Sequence, residues 1–198
     1  MKELNHREYF NSLAPGWDKM MGHDPEKLGR IIDSLHISAG CRILDVGCGT
    51  GVFVESLLAR FGEGIQIICV DISERMLEIA WNKFQVVPTV SYVTADITEP
   101  ILRDESLDRV ICYSCIPHIR EKSRAFFQFR RMLKPGGMLV IAHSDGRDAI
   151  NRMHGSLGEP VKYDILPDCG EMRELLEASG FGDVRVIDEP DFYEIIAS

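Results

Sequence analysis

Apolar positions recur at two periods along this chain, and the alternation between them sets the expected fold. From residue 25 onward, stretches with an apolar residue every three or four positions take turns with short, nearly continuous apolar runs. In 25–37, Leu28, Ile31, Ile32 and Leu35 share one helical stripe, with Pro25 tolerated in the first turn. Residues 41–46 read as a first strand, 52–61 as a helix ending near Gly62, and 65–70 as a buried central strand. Ser73 is placed to cap a helix over 74–84. Strands are expected at 90–94 and 107–113, and a helix at 123–133. Lys134-Pro135-Gly136-Gly137 stops that helix before a fifth strand at 138–142. Asp168 and Glu171 have the spacing of a capping box that opens a helix ending at Gly180, and 184–187 with 192–197 make a final strand pair. Helices alternating with strands need crossover connections, so the pattern predicts a doubly wound α/β domain whose sheet is mostly parallel.

At 198 residues, with no internal repeat or linker, one domain is expected. Residues 1–24 form an N-terminal arm ahead of it. The 143–167 connection is longer than most, and long connections usually carry function or their own structure. Within it, Ser144 is placed to cap a short helix presenting Arg147, Arg152 or His154. The formal charge of −9 leaves no broad basic surface for a phosphate backbone, which disfavours extended nucleic-acid contact and favours a small acceptor. No basic cluster with an apolar run follows Met1, and no stretch reaches the roughly 18 apolar residues of a membrane span. A soluble, cytoplasmic protein is expected. The six cysteines fall mostly in strands and in a glycine loop, as buried reduced thiols would. Cys112-Tyr-Ser-Cys115 has metal or redox spacing but lacks a second pair.

The chemistry begins where the first strand runs into Asp45-Val46-Gly47-Cys48-Gly49-Thr50-Gly51 and then directly into a helix. Glycine lets a ligand approach the backbone closely, and the helix start offers free N–H groups and partial positive charge. A phosphate-binding loop would end in Gly-Lys-Ser/Thr. A dinucleotide loop would place glycine at position 52, which is Val52.

Leu44-Asp-Val-Gly-Cys-Gly-Thr-Gly51 instead resembles the first motif of class I S-adenosylmethionine-dependent methyltransferases. The resemblance extends from about Arg42 to the C-terminus, because later landmarks keep the family's order: Asp71 after the second strand, Ala95-Asp96-Ile97 after the third, and Leu133-Lys-Pro-Gly-Gly-Met-Leu-Val140 before the fifth. It implies a Rossmann-like doubly wound seven-stranded sheet, mostly parallel with the last strand antiparallel. It implies S-adenosyl-L-methionine as cofactor and S-adenosyl-L-homocysteine as product. By that likeness Asp45 would attract the ammonium end of the cofactor, Gly47, Gly49 and Gly51 would allow its approach, Asp71 would hold the ribose diol, and Asp96 the adenine edge. Cys48, Ile72, Met76, Ile97 and Tyr113 complete the implied cofactor set. Each piece has a plainer reading, since glycine turns are common and Asp71 or Asp96 can be a turn residue or a helix cap.

Transfer from a sulfonium carbon depends mainly on alignment and exclusion of water, so the motif gives the reaction type without the acceptor. Cys112-Tyr-Ser-Cys-Ile-Pro-His-Ile119 occupies the family's fourth-motif position, and His118 and His154 are the candidate catalytic residues. The fourth motif lacks the Asn or Asp followed by Pro-Pro-Tyr of amide and amino modifiers. Residues 9–18, Tyr-Phe-Asn-Ser-Leu-Ala-Pro-Gly-Trp-Asp, resemble the arm of the ubiquinone/menaquinone-biosynthesis-like branch, where aromatic residues fold over the cofactor; Tyr9, Phe10 and Trp17 can equally be ordinary core. A metal held by His143, His154 and Cys115 is a further alternative. The competing functions are an NAD(P)-dependent oxidoreductase and a noncatalytic S-adenosylmethionine-binding module.

Overall fold

The computed structural model describes residues 5–198. A seven-stranded sheet has the order β3-β2-β1-β4-β5-β7-β6, built from β1 (Arg42–Val46), β2 (Gln66–Asp71), β3 (Val90–Thr94), β4 (Leu107–Tyr113), β5 (Leu133–His143), β6 (Val184–Glu189) and β7 (Phe192–Ala197). All neighbours pair parallel except β7, which runs antiparallel to both β5 and β6. The expected sheet, with its last strand reversed, is the one observed.

The arm contains α1 (His6–Leu13) and the short α2 (Trp17–Met20), and α3 (Pro25–Ser34) leads into the sheet. Asn5 opens α1 with a reciprocal capping box to Glu8, and Asp24 caps α3 ahead of Pro25. The crossovers are α4 (Val52–Phe61), α5 (Glu74–Phe84) and α6 (Lys122–Met132), with α7 (Arg147–Gly155) and α8 (Cys169–Ala178) following β5.

Alternation along the strands supplies a core on each face. Leu44, Val46, Ile68 and Val70 meet Phe126, Phe129 and Met132 of α6 and Met172 and Leu176 of α8. Ile43, Ile67 and Ile111 meet Leu28, Ile31 and Ile32 of α3, Phe53, Val54 and Leu57 of α4, and Leu77 of α5. Removing a fully buried ring such as Phe126 would cost about 3 to 5 kcal/mol, a large part of a domain's net stability.

Three local expectations change. Lys134-Pro135-Gly136-Gly137 does not precede the fifth strand but lies within it: Leu107 pairs with Leu133 and Arg109 with Met138, so the extra residues loop out as an irregularity in β5. Gly136 there has a left-handed φ of 74°. The α6 helix also runs Lys122–Met132, one residue earlier at each end than expected. Finally, Ser144 does not cap α7; Gly146 occupies that position without a side-chain bond, and Ser144 turns to Tyr113.

The arrangement brings the carboxyl ends of β1, β2 and β4 together. β1 lies between β2 and β4, so the chain leaves it at the point where strand order reverses. In such sheets the crevice at that point is where ligands bind.

Candidate active site

The loop after β1 is folded by its glycines. Gly47, Gly49 and Gly51 have φ of 64°, 55° and 93°, a region that side-chain-bearing residues rarely adopt. The N–H groups of Gly47 and Cys48 donate to the Val70 carbonyl at 2.8 and 3.2 Å, which pulls the loop across the end of β2. A Cβ on Gly47 would stand 2.5 Å from that of Cys115, so the loop is also pressed against the end of β4.

This fold places two carboxylates side by side. Asp71 ends β2 and accepts the Gly49 N–H at 2.9 Å and the Ser73 N–H at 2.8 Å. Burial still pushes its carboxyl above the usual range, outweighing those bonds. Asp45 is almost wholly buried, and its Oδ2 has no hydrogen-bond partner. Burial, with the Asp71 charge beside it, pushes Asp45 up to about 7. Buried polar atoms are nearly always satisfied, and an unsatisfied carboxylate oxygen fits a cationic group brought by a ligand. The ammonium end of S-adenosylmethionine is such a group, so the residues present fit the family's cofactor. Asp96, after β3, spends Oδ1 on the Thr98 N–H and hydroxyl at 2.9 and 2.7 Å. Among the described residues its other oxygen has no hydrogen-bond partner, so the turn role leaves that oxygen open to the cavity it lines.

A cavity of about 320 Å³ opens beside these groups. Gly47, Gly49 and Asp71 form one wall, Ile72, Met76 and Ile97 an apolar floor beside Asp96, and Cys115 and His118 the far end. Phe10 and Trp17 of the arm roof it. The arm is tied down by polar contacts: Asn11 donates to Glu74 at 2.8 Å and accepts the Ser73 hydroxyl at 2.7 Å, and the Thr50 hydroxyl donates to Asp18 at 2.5 Å. Phe10 stands edge-on to Trp17 and to His118, with ring centroids 6.0 and 5.0 Å apart.

At the far end a second polar cluster forms from three distant segments. Asp164, between α7 and α8, receives hydrogen bonds at 2.7 Å on the same oxygen from His6 Nε2 and His118 Nδ1. Burial alone would raise this carboxyl, but the bonds from His118 and His6 hold it well below the usual range. His154 stands behind, its ring 4.9 Å from His118 and its Nδ1 bonded to the Asp164 carbonyl oxygen at 2.5 Å.

Of the residues singled out from sequence, Gly47, Gly49, Asp71, Ile72, Met76, Asp96, Ile97 and His118 meet at the cavity. Asp45, Cys48, Gly51, Tyr113 and His154 are not among its walls. Cys48 belongs to the core on the α4 face. Gly51 packs against Phe84, which a Cβ would approach to 2.6 Å. The Tyr113 hydroxyl is engaged by Ser144 at 2.5 Å and His23 at 3.2 Å. His143, His154 and Cys115 do not converge; the Cys115 thiol donates to the Val46 carbonyl at 3.0 Å, and the convergent ligand-type atoms among the described residues are those of His6, His118 and Asp164. Asp164 and His6 were not anticipated. Neither carries a local signal, since their partners lie 46 and 158 residues from Asp164.

A methyltransferase-domain family profile matches residues 44–141, from within β1 to near the end of β5. That match and the relatives support a class I S-adenosylmethionine-dependent methyltransferase. Within that class, its relatives include the ubiquinone/menaquinone biosynthesis C-methyltransferase of Vibrio campbellii, 27% identical over 175 residues, which are 83% of this chain and 66% of that protein. The Campylobacter jejuni enzyme of the same name is 31% identical over 153 residues, covering 71% of this chain and 64% of the relative. The chain therefore spans just under two thirds of the length of these curated relatives. Among solved structures, an S-adenosylmethionine-dependent methyltransferase from Aquifex aeolicus shares the fold, with a TM-score of 0.71 and 21% identity over 98% of each chain. No helix among the described residues is long and apolar enough to cross a membrane.

Proposed function

We propose that this chain binds S-adenosylmethionine in the cavity at the ends of β1, β2 and β3 and passes its methyl group to a small acceptor entering beside His118. The observation that carries the reading is the pairing of Asp71, fixed by two backbone N–H groups, with the unsatisfied buried oxygen of Asp45 behind the glycine loop. A ribose diol would donate to Asp71, the ammonium end would neutralise Asp45, and the adenine would lie on Ile72, Met76 and Ile97 with its amino group toward Asp96. The bound cofactor supplies a methyl carbon activated by positive sulfur. The chain's own residues then position the acceptor and exclude water.

The roof of Phe10 and Trp17 closes the cavity from one side, and Ile119 and Cys115 add apolar surface beside the polar cluster at the far end. These walls suit an acceptor with an apolar body, in line with the C-methylating relatives. His118, held through Nδ1 by Asp164, faces that acceptor. His154 acts from behind, through its bond to the Asp164 backbone. Arg120 also lines the cavity and gives an anionic or electron-rich acceptor a partner. Six free cysteines support work in the reducing cytoplasm.

Calorimetric titration with S-adenosylmethionine and, separately, NADH tests the cofactor. Binding of the first and not the second is expected, whereas preference for NADH would overturn the reading in favour of an oxidoreductase. Label transfer from methyl-labelled cofactor across a panel of small phenolic, quinol and amine acceptors tests turnover. Tight cofactor binding with no transfer to any member would point to a noncatalytic module.

A further inference from the structure

We infer that His6, His118 and Asp164 form a binding site for one first-row divalent transition-metal ion, with zinc the simplest occupant, at the acceptor end of the cavity. This does not rest on the cofactor or acceptor assignment. The ligand atoms are His6 Nε2, His118 Nδ1 and Asp164 Oδ2, and all three lie within 4.8 Å of one another. Two imidazole nitrogens and one carboxylate oxygen on one side of a centre are a donor set that such ions accept, with further positions left open.

The geometry is close to what coordination requires. Each histidine nitrogen is 2.7 Å from the shared carboxylate oxygen. Ligands at tetrahedral angles on a centre with bonds of about 2.1 Å stand about 3.4 Å apart, so seating zinc needs each of these two pairs to open by about 0.7 Å. Without an ion, each ring donates an N–H to Asp164. With one, that nitrogen of each ring turns its lone pair to the ion and the ring keeps a proton only on its other nitrogen.

The surroundings are those of a supported site. Asp164 is buried, and His154 fixes its backbone through the carbonyl, an outer contact of the kind that orients metal ligands. Three of the six histidines gather here: His6, His118 and His154. His6 and His118 line the cavity, so the ion's open positions face the space where an acceptor oxygen would sit. The ligands also come from the arm, the turn after β4 and the α7–α8 connection, so an ion would fasten the roof to the body.

The experiment uses the full chain without a histidine tag, stripped with a chelator and dialysed. Zinc is then titrated by calorimetry with elemental analysis of the dialysed complex, and cobalt(II) is added in parallel and followed by visible absorption. One ion per chain is expected, with ligand-field bands from cobalt and at least tenfold weaker zinc binding in His6→Ala and in Asp164→Asn. Because a variant can lose its fold, imidazole nitrogen resonances of the parent provide a second readout: His6 and His118 should shift on zinc addition, while His23 and His36 stay in place. Retention of well below one ion per chain, equal affinity in folded variants, or shifts confined to His23 and His36 would each overturn the proposal.

Discussion

Asp45 makes the sharpest test of the cofactor assignment, because its protonation must change when a cation arrives. In the unfolded chain it ionises near its ordinary value of 3.8, whereas in the fold burial and Asp71 push it up to about 7. Between those values the folded protein holds a proton that the unfolded chain has released, so stability falls as pH rises through that window. The full cost, reached above pH 7, is on the order of 4 kcal/mol at about 1.4 kcal/mol per unit. A cation bound beside Asp45 favours the carboxylate and returns its pKa toward the ordinary range. The proton is released on binding, so affinity rises with pH, about tenfold per unit below 7 and little above it. From pH 8 to pH 5 the parent should therefore lose about a hundredfold in S-adenosylmethionine affinity through this group. Asp45→Asn keeps the shape and removes the titration. Calorimetry over pH 5 to 8 should show a much flatter profile for the variant, and urea unfolding above pH 7 should show the cofactor-free variant more stable than the parent. Equal pH slopes in parent and variant would refute the placement of a cation at Asp45.

Asp71→Ala should weaken cofactor binding by about 1.5 to 3 kcal/mol, the value of hydrogen bonds to a charged group, and unchanged affinity in calorimetry would remove the ribose assignment. Asp96→Ala should weaken adenosyl ligands more than inosyl ones, with equal losses arguing against adenine recognition. Gly49→Val should abolish binding in a protein that circular dichroism shows still folded, because φ is 55° there and the added Cβ would stand 3.5 Å from Trp17 on the cavity side. Deleting the residues before Asn11, which removes Phe10 and His6, should lower methyl transfer more than cofactor affinity; parent-like rates would make the arm an ordinary surface. His143 is pushed down to about 3 by burial and by His118 and His154, so its stabilising effect is complete above pH 6.5 and lost as pH falls toward 3. His143→Phe, which keeps a ring against Tyr193, should unfold less steeply in acid over that range; an unchanged acid limb in urea titrations would exclude the contribution.

The parts of this molecule that can be read from sequence are those whose physics is local. Helix stripes such as Leu28, Ile31 and Ile32, the cap at Ser73 and the glycine loop are each decided within a few residues, and all fall where the pattern places them. The β5 irregularity was misplaced because Pro135 and the two glycines signal a break without saying whether the chain leaves the sheet or bulges within it, and only pairing with β4 decides. The acceptor end was the least legible. His118 was visible because it follows a strand end at a familiar spacing, but its partner depends on how a 20-residue-scale connection packs back, a tertiary fact with no local correlate. His6 shows the same limit: in sequence it is a polar residue near the start of an amphipathic helix, and it gains a chemical role because Asn11 fastens that helix, and Asp18 the short helix after it, over the ends of the strands. Anchoring and chemistry are thus coupled: contacts on the far side of the arm fix where His6 meets Asp164, so a change at Asn11 should reach the acceptor end without touching it.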